Sequence, residues 1–193
     1  MSMTKYIADV MDSDCSATNG TEVETRYVFN TLEGSAMEKD FEVPPLIRAV
    51  TDEMPGAFTA CIHPKGKFEF FFGPAGSGAH LHFHPAAWNG LLYGRKRWVI
   101  MPPGKFQDNA ELPSGKVVAL EWFQKSLPIW RAKFGEHLME FVQEEGEVVY
   151  VPDGYGHAVL NLEPSIGVSK QVGIFSWPDG GPMPILMPDA AEY

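Results

Sequence analysis

Gly73-Pro-Ala-Gly-Ser-Gly-Ala-His-Leu-His-Phe-His84 joins a glycine-rich loop to a run with histidine at every second position. In a β-strand successive side chains point to opposite faces. His80, His82 and His84 therefore share one face, and Leu81 and Phe83 take the other. Two imidazoles at i and i+2 on a rigid backbone can reach one metal ion, and a third ligand from a distant strand closes a triangular face. A lone histidine is ordinarily a surface or core residue, but three alternating behind a glycine loop favour a metal. By residue type alone, an all-imidazole site accepts zinc, copper or nickel as readily as iron.

On both sides the chain keeps a rhythm of short β-runs. Lys67-Phe-Glu-Phe-Phe-Phe72 precedes the loop, and Trp88 to Tyr93 and Lys96-Arg-Trp-Val-Ile-Met101 follow it, the last ending at Pro102-Pro-Gly104. Strand-sized runs bounded by glycine or proline predict an all-β sandwich or barrel. Residues 119–134 break the rhythm. Leu120, Phe123 and Leu127 fall at helical spacing, and Pro128 is expected to end or kink that helix. The β pattern resumes at Leu138 to Val142, Gly146-Glu-Val-Val-Tyr-Val-Pro152, His157 to Leu162 and Ile166 to Phe175. Upstream, Arg26-Tyr-Val-Phe29 is β-like, Phe41-Glu-Val-Pro-Pro45 is extended, and Leu46 to Glu53 suits a short helix. The expected organisation is all-β with minor helices. A barrel over residues 26–177 carries one helical insertion, a loose arm covers 1–25, and a Pro/Gly-rich tail covers 178–193.

The 193 residues suit one domain with a proper core, and the 45% hydrophobic and 21% charged shares are those of an ordinary globular chain. A net charge of -10, from 15 basic and 25 acidic residues, argues against a nucleic-acid or anionic-membrane binder driven by bulk charge. Cys15 and Cys61 make no disulfide framework, so a reducing compartment is expected. Met1 to Val10 lacks a basic start followed by an apolar run, and no apolar stretch is long enough to span a bilayer as a helix. The expected location is the cytoplasm or nucleus, with the ER lumen open to a chain from which a leader was removed. Nothing points to a particular oligomer.

The His80–His84 segment with its glycine loop, the following Trp88-Asn-Gly-Leu-Leu-Tyr-Gly-Arg-Lys-Arg-Trp98, and Gly146-Glu-Val-Val-Tyr-Val-Pro-Asp-Gly-Tyr-Gly-His-Ala-Val-Leu-Asn-Leu-Glu163 closely resemble jumonji-C proteins. The resemblance runs from about Arg26 to Phe175. It points to the small branch that holds the jumonji arginine demethylase and lysyl hydroxylase and a lumenal jumonji protein with His-x-His. It implies a double-stranded β-helix of the cupin, jelly-roll type. It also implies Fe(II) and 2-oxoglutarate as cofactors and a protein or peptide side chain as substrate. The 2-oxoglutarate is oxidatively decarboxylated to succinate and carbon dioxide, and a C–H bond is hydroxylated; at an N-methyl carbon that step leads to demethylation. By position, the metal ligands fall on His82, His84 and His157, the cosubstrate's lysine on Lys96, and its polar neighbours on Asn89 and Ser169. Lys96 makes sense on chemistry as well. A buried dicarboxylate needs a cation and a hydroxyl, and strand alternation sends Lys96 to one face and Arg95 with Arg97 to the other.

Three positions depart from the family pattern. His84 stands where an acid is usual, which leaves a bound metal one unit more positive. Ala79 replaces a common hydroxyl residue, and Tyr155-Gly156 replaces bulky aromatics. A one-pair slip would make His80 and His82 the ligand pair and still preserve the face. Two other functions stay open: a binding or regulatory protein that keeps the barrel without turnover, and a three-histidine cupin enzyme that acts on a different small substrate.

Overall fold

Phe68-Glu-Phe-Phe-Phe-Gly73 and the runs after it are short, rich in β-branched and aromatic residues, and stopped by glycine or proline, so they pair as strands rather than coil into helices. The computed structural model of the chain describes residues 27–31, 40, 45, 68–102, 118–152 and 154–171. The arm over 1–25, the short helix expected from Leu46 to Glu53, the tail over 178–193 and both cysteines lie outside them, as does the extended segment from Phe41 apart from Pro45.

Among the described residues the strands are β1 (Val28–Thr31), β2 (Phe68–Gly73), β3 (Gly78–His82), β4 (Ala87–Tyr93), β5 (Lys96–Met101), β6 (Met139–Gln143), β7 (Val148–Val151), β8 (Gly156–Asn161) and β9 (Ser165–Gln171). They form two antiparallel sheets, in the orders β1-β2-β9-β4-β7 and β3-β8-β5-β6. Strands that alternate between two sheets in this way make the jelly-roll, double-stranded β-helix expected from the sequence. The sheets face each other. Val151 of β7 packs with Trp98, Ile100 and Val159 of the opposite sheet, and the Lys96 ammonium sits over the Phe71 ring.

The outer face of the β3-β8-β5-β6 sheet is closed by a helical layer over residues 119–134. Leu81, Val99, Met101, Ala158 and Leu160 meet Trp122, Phe123, Leu127 and Trp130 there in one buried cluster. Leu120, Phe123 and Leu127 do lie on a helix, but Pro128 does not end it. The helices α1 (Ala119–Glu121) and α2 (Leu127–Phe134) are joined without a break by a π-helical turn, Trp122–Ser126. The Leu127 N–H donates to the Trp122 carbonyl, a bond that reaches back five positions. This shifts the hydrogen-bond ladder just before a residue with no N–H to give, so Pro128 sits in the first turn of α2, where proline is tolerated.

Two features tie the glycine loop to β8. Asn161 is buried, and its amide donates to Ser77 Oγ at 2.9 Å, while the Gly76 N–H donates to the Asn161 carbonyl at 2.8 Å. Gly78 lies so close to β8 that a Cβ there would stand 2.1 Å from the Val159 carbonyl oxygen, so only glycine fits. The pairing then slips by one residue: Ala79 opposes Val159, but His82 opposes His157, across a bulge. β3 also stops at His82 rather than at His84 as its alternation suggested. The added twist of a bulge re-aims the following side chains, and Pro85 cannot continue the ladder.

Candidate metal centre

β3 and β8 carry the histidines. The ligand-capable nitrogens of His82, His84 and His157 lie within 4.8 Å of one another. The ring centroids of His82 and His157 are 4.2 Å apart, those of His84 and His157 4.5 Å, and those of His82 and His84 5.4 Å. His80 falls outside this trio, with its ring 6.4 Å from that of His82.

The backbone holds each ring the same way. His82 Nδ1 meets the His80 carbonyl at 2.7 Å, His84 Nδ1 the Pro85 carbonyl at 2.6 Å, and His157 Nδ1 the Tyr155 carbonyl at 3.1 Å. A carbonyl only accepts, so Nδ1 carries the proton in all three. The Nε2 lone pairs are left free, which is the tautomer a metal site needs. Burial holds His82 below the usual histidine range, opposed by its bond to the His80 carbonyl and reinforced by its histidine neighbours. Burial, with the neighbouring His82 and His84 rings, lowers His157 to about 3. Trp98 stacks on the His157 ring at 6.0 Å, and its indole N–H donates to Gln143 Oε1 at 2.8 Å. Three imidazoles oriented so that their Nε2 atoms are available to one ion fit a divalent transition metal.

Lys96 lies deeper in the same barrel and is fully buried. Its Nζ sits 3.4 Å from the Phe71 ring centroid and donates to Tyr27 Oη at 3.2 Å. Burial pushes its pKa well below that of an ordinary lysine. No carboxylate among the described residues pairs with it, whereas Arg95 pairs with Glu144 and Glu163, and Arg97 with Glu140, all away from the interior. A buried cation without a counter-ion fits an anionic ligand. Phe71 can hold its place under Lys96 because residue 167 is glycine: a Cβ there would stand 2.3 Å from the Phe71 ring. Asn89 and Ser169 stand opposite each other on β4 and β9, and the Asn89 Oδ1 is buried without a donor.

Three residues that face this interior were not singled out in the sequence. They are Tyr27, Gln143, whose amide N–H groups donate to the Asn89 and Glu147 carbonyls, and Glu69, which accepts from Ser169 Oγ at 3.4 Å. None of the three left a local trace, since Gln143 ends a strand that also carries Glu140.

No protein-family model matches the chain. Curated relatives do. The chain is 33% identical over 159 residues to Lysine-specific demethylase JMJ21 of Arabidopsis thaliana, covering 75% of this chain and 16% of that protein. It is 34% identical over 106 residues to human JmjC domain-containing protein 8, covering 55% and 38%. It is 35% identical over 113 residues to the Bifunctional arginine demethylase and lysyl-hydroxylase psr-1 of Caenorhabditis elegans, covering 52% and 28%. In sequence the chain is similar to jumonji-C proteins. It spans between about a sixth and two fifths of these relatives' lengths. Among solved structures, the Escherichia coli ribosomal oxygenase YcfD aligns over 58% of this chain and 24% of its own, with a TM-score of 0.38 and 18% identity.

Proposed function

We propose that this jumonji-C chain is an Fe(II)- and 2-oxoglutarate-dependent oxygenase that hydroxylates, or N-demethylates by hydroxylation, a side chain of a protein substrate. The observation that carries the reading is the pairing of three Nε2-presenting histidines with a buried lysine that no carboxylate among the described residues pairs with, in one barrel. Iron held by His82, His84 and His157 would supply oxygen activation. One oxygen atom would enter the substrate C–H bond, and the other the succinate that 2-oxoglutarate would give on losing carbon dioxide. Lys96 would bind the distal carboxylate with help from Ser169, and Asn89 would line the cosubstrate. Demethylase and hydroxylase relatives support a basic side chain as the target.

The test is anaerobic addition of ferrous iron and then 2-oxoglutarate, watched for the visible charge-transfer band of the chelated cosubstrate. A saturable band, absent in Lys96→Ala and His157→Ala, is expected. A folded protein that takes up metal and gives no band would overturn the cosubstrate assignment. His84 and Ala79, which replace an acid and a hydroxyl of the family pattern, favour one second reading, a binding protein of the same fold. That reading predicts a band but no succinate above background with any peptide.

A further inference from the structure

Glu69 is a carboxylate inside the barrel to which the assignments above give no role. It lies two residues from Phe71 on β2, so both side chains leave the same face of the strand. Phe71 carries Lys96 on its ring, which makes that face the interior one. Across the ladder Glu69 stands opposite Thr31 of β1 and Ser169 of β9, and Ser169 stands opposite Asn89 of β4. Ser169 Oγ donates to Glu69 Oε2 at 3.4 Å, and the Asn89 Oδ1 has no donor. The acceptors of this row are the Glu69 carboxylate and the Asn89 amide oxygen; its donors are the Asn89 amide N–H groups, the Thr31 hydroxyl and the Ser169 hydroxyl, and the last is the one that the carboxylate already holds. A 2-oxo dicarboxylate brings only more acceptors.

We propose that Glu69 is a specificity-determining residue of the cosubstrate pocket. A dicarboxylate takes over the Ser169 hydroxyl only when Glu69 is protonated, so binding is coupled to uptake of one proton from solvent onto that carboxylate. This rests on the 2-oxoglutarate reading above. Burial already raises the Glu69 pKa, opposed by its bond to Ser169, which reduces the cost of placing the proton. From the facing sheet, β5 presents Lys96 and β8 presents His157 to the same interior. Lys96 reaches Tyr27 and the Phe71 ring rather than Glu69. Lys170 of β9 lies on the other face, over Phe68, and β1 contributes the uncharged Thr31. Titration of the histidines affects the wild type and a Glu69 variant alike, so it cancels in their comparison.

The experiment is calorimetric titration of the full chain, loaded with redox-silent Mn(II), with 2-oxoglutarate from about pH 6 to about pH 8. The wild-type Kd should rise about tenfold per pH unit, and Glu69→Gln should flatten that slope and bind about tenfold or more tighter at the alkaline end. In the wild type alone, the binding enthalpy should vary with buffer ionisation enthalpy as expected for about one proton taken up per ligand. That measurement stands even if the variant folds poorly. Parallel slopes in the two proteins, or no proton uptake, would overturn this inference and leave the cosubstrate reading intact. Absence of binding by both proteins at every pH would overturn the cosubstrate reading and this inference with it.

Discussion

The two faces of the β3-β8-β5-β6 sheet are built from neighbouring residues of the same strands, yet they have opposite chemistry. On β5, Val99 and Met101 turn outward, and on β8, Ala158 and Leu160 join them in a dry cluster under the helical layer. The alternate positions turn inward and bury Lys96, His157 and Asn161, with Gln143 of β6 beside them. Apolar burial contributes roughly 25 cal/mol per Å², whereas a buried charge without a partner costs several kcal/mol. The outer face therefore holds the sheet together, and the inner face spends part of that stability on groups poised for a ligand.

Removing a large side chain from the outer face should give the largest effect. Trp122 is 1% exposed, and Trp122→Ala is expected to cost about 3–5 kcal/mol in urea unfolding. A loss under about 1 kcal/mol would mean that the helical layer does not support the sheet. The inner face should respond with the opposite sign. Lys96→Met keeps the length of the side chain and removes a buried amine that no carboxylate among the described residues pairs with. The melting temperature of the ligand-free protein should hold or rise, while 2-oxoglutarate affinity falls by about 100-fold, roughly 3 kcal/mol. A variant both less stable and equally able to bind would reverse the assignment of this face.

The inner face also titrates. The unfolded His157 imidazole takes up a proton near pH 6.5, and the folded one only at about 3. Between these values the unfolded chain binds more protons, so stability is full above about 6.5 and is lost progressively as pH falls towards 3. For this one group, acidification from about pH 7 to about pH 5 should cost up to about 2 kcal/mol in the metal-free protein. His157→Gln should flatten that part of the stability–pH curve, and Trp122→Ala should shift the curve without changing its slope. Equal slopes in wild type and His157→Gln would assign the acid sensitivity elsewhere.

Alternation along single strands was legible in the sequence, and with it the inward turn of Lys96 away from Arg95 and Arg97 and the opposition of His82 to Leu81. Features that depend on two distant segments meeting were not. The bulge between Ala79 and His82 exists because β3 must register against β8 over Gly78, a contact spanning some 80 positions. The helix through Pro128 needs a π turn whose outer cluster packs on Leu81 and Met101, so tertiary packing overrides the local preference of proline to stop it. Tyr27 beneath Lys96 and Glu69 beside Ser169 are likewise products of strand pairing. No local pattern marks a tyrosine or a glutamate in an aromatic strand as facing a pocket.

The position that both readings dispute is His84, and its substitution should give the smallest effect here. His84 lies just beyond β3, half-buried, with Nδ1 bound to its neighbour's carbonyl rather than to the sheet. A change there leaves the outer cluster untouched, so the unfolding free energy from urea titration should change by less than about 0.5 kcal/mol. His84→Asp replaces one of three imidazole donors with a carboxylate and should tighten ferrous iron by about tenfold, or 1.4 kcal/mol, in chelator competition. Zinc, which imidazole suits as well, should gain less, so the ratio of the two affinities is the sharper readout. An iron affinity unchanged by the acid, beside one abolished by His157→Ala, would leave His82 and His157 as the protein's ligands and remove His84 from the centre. The inner face would then hold its metal by the paired strands alone, with the loop after β3 contributing only access.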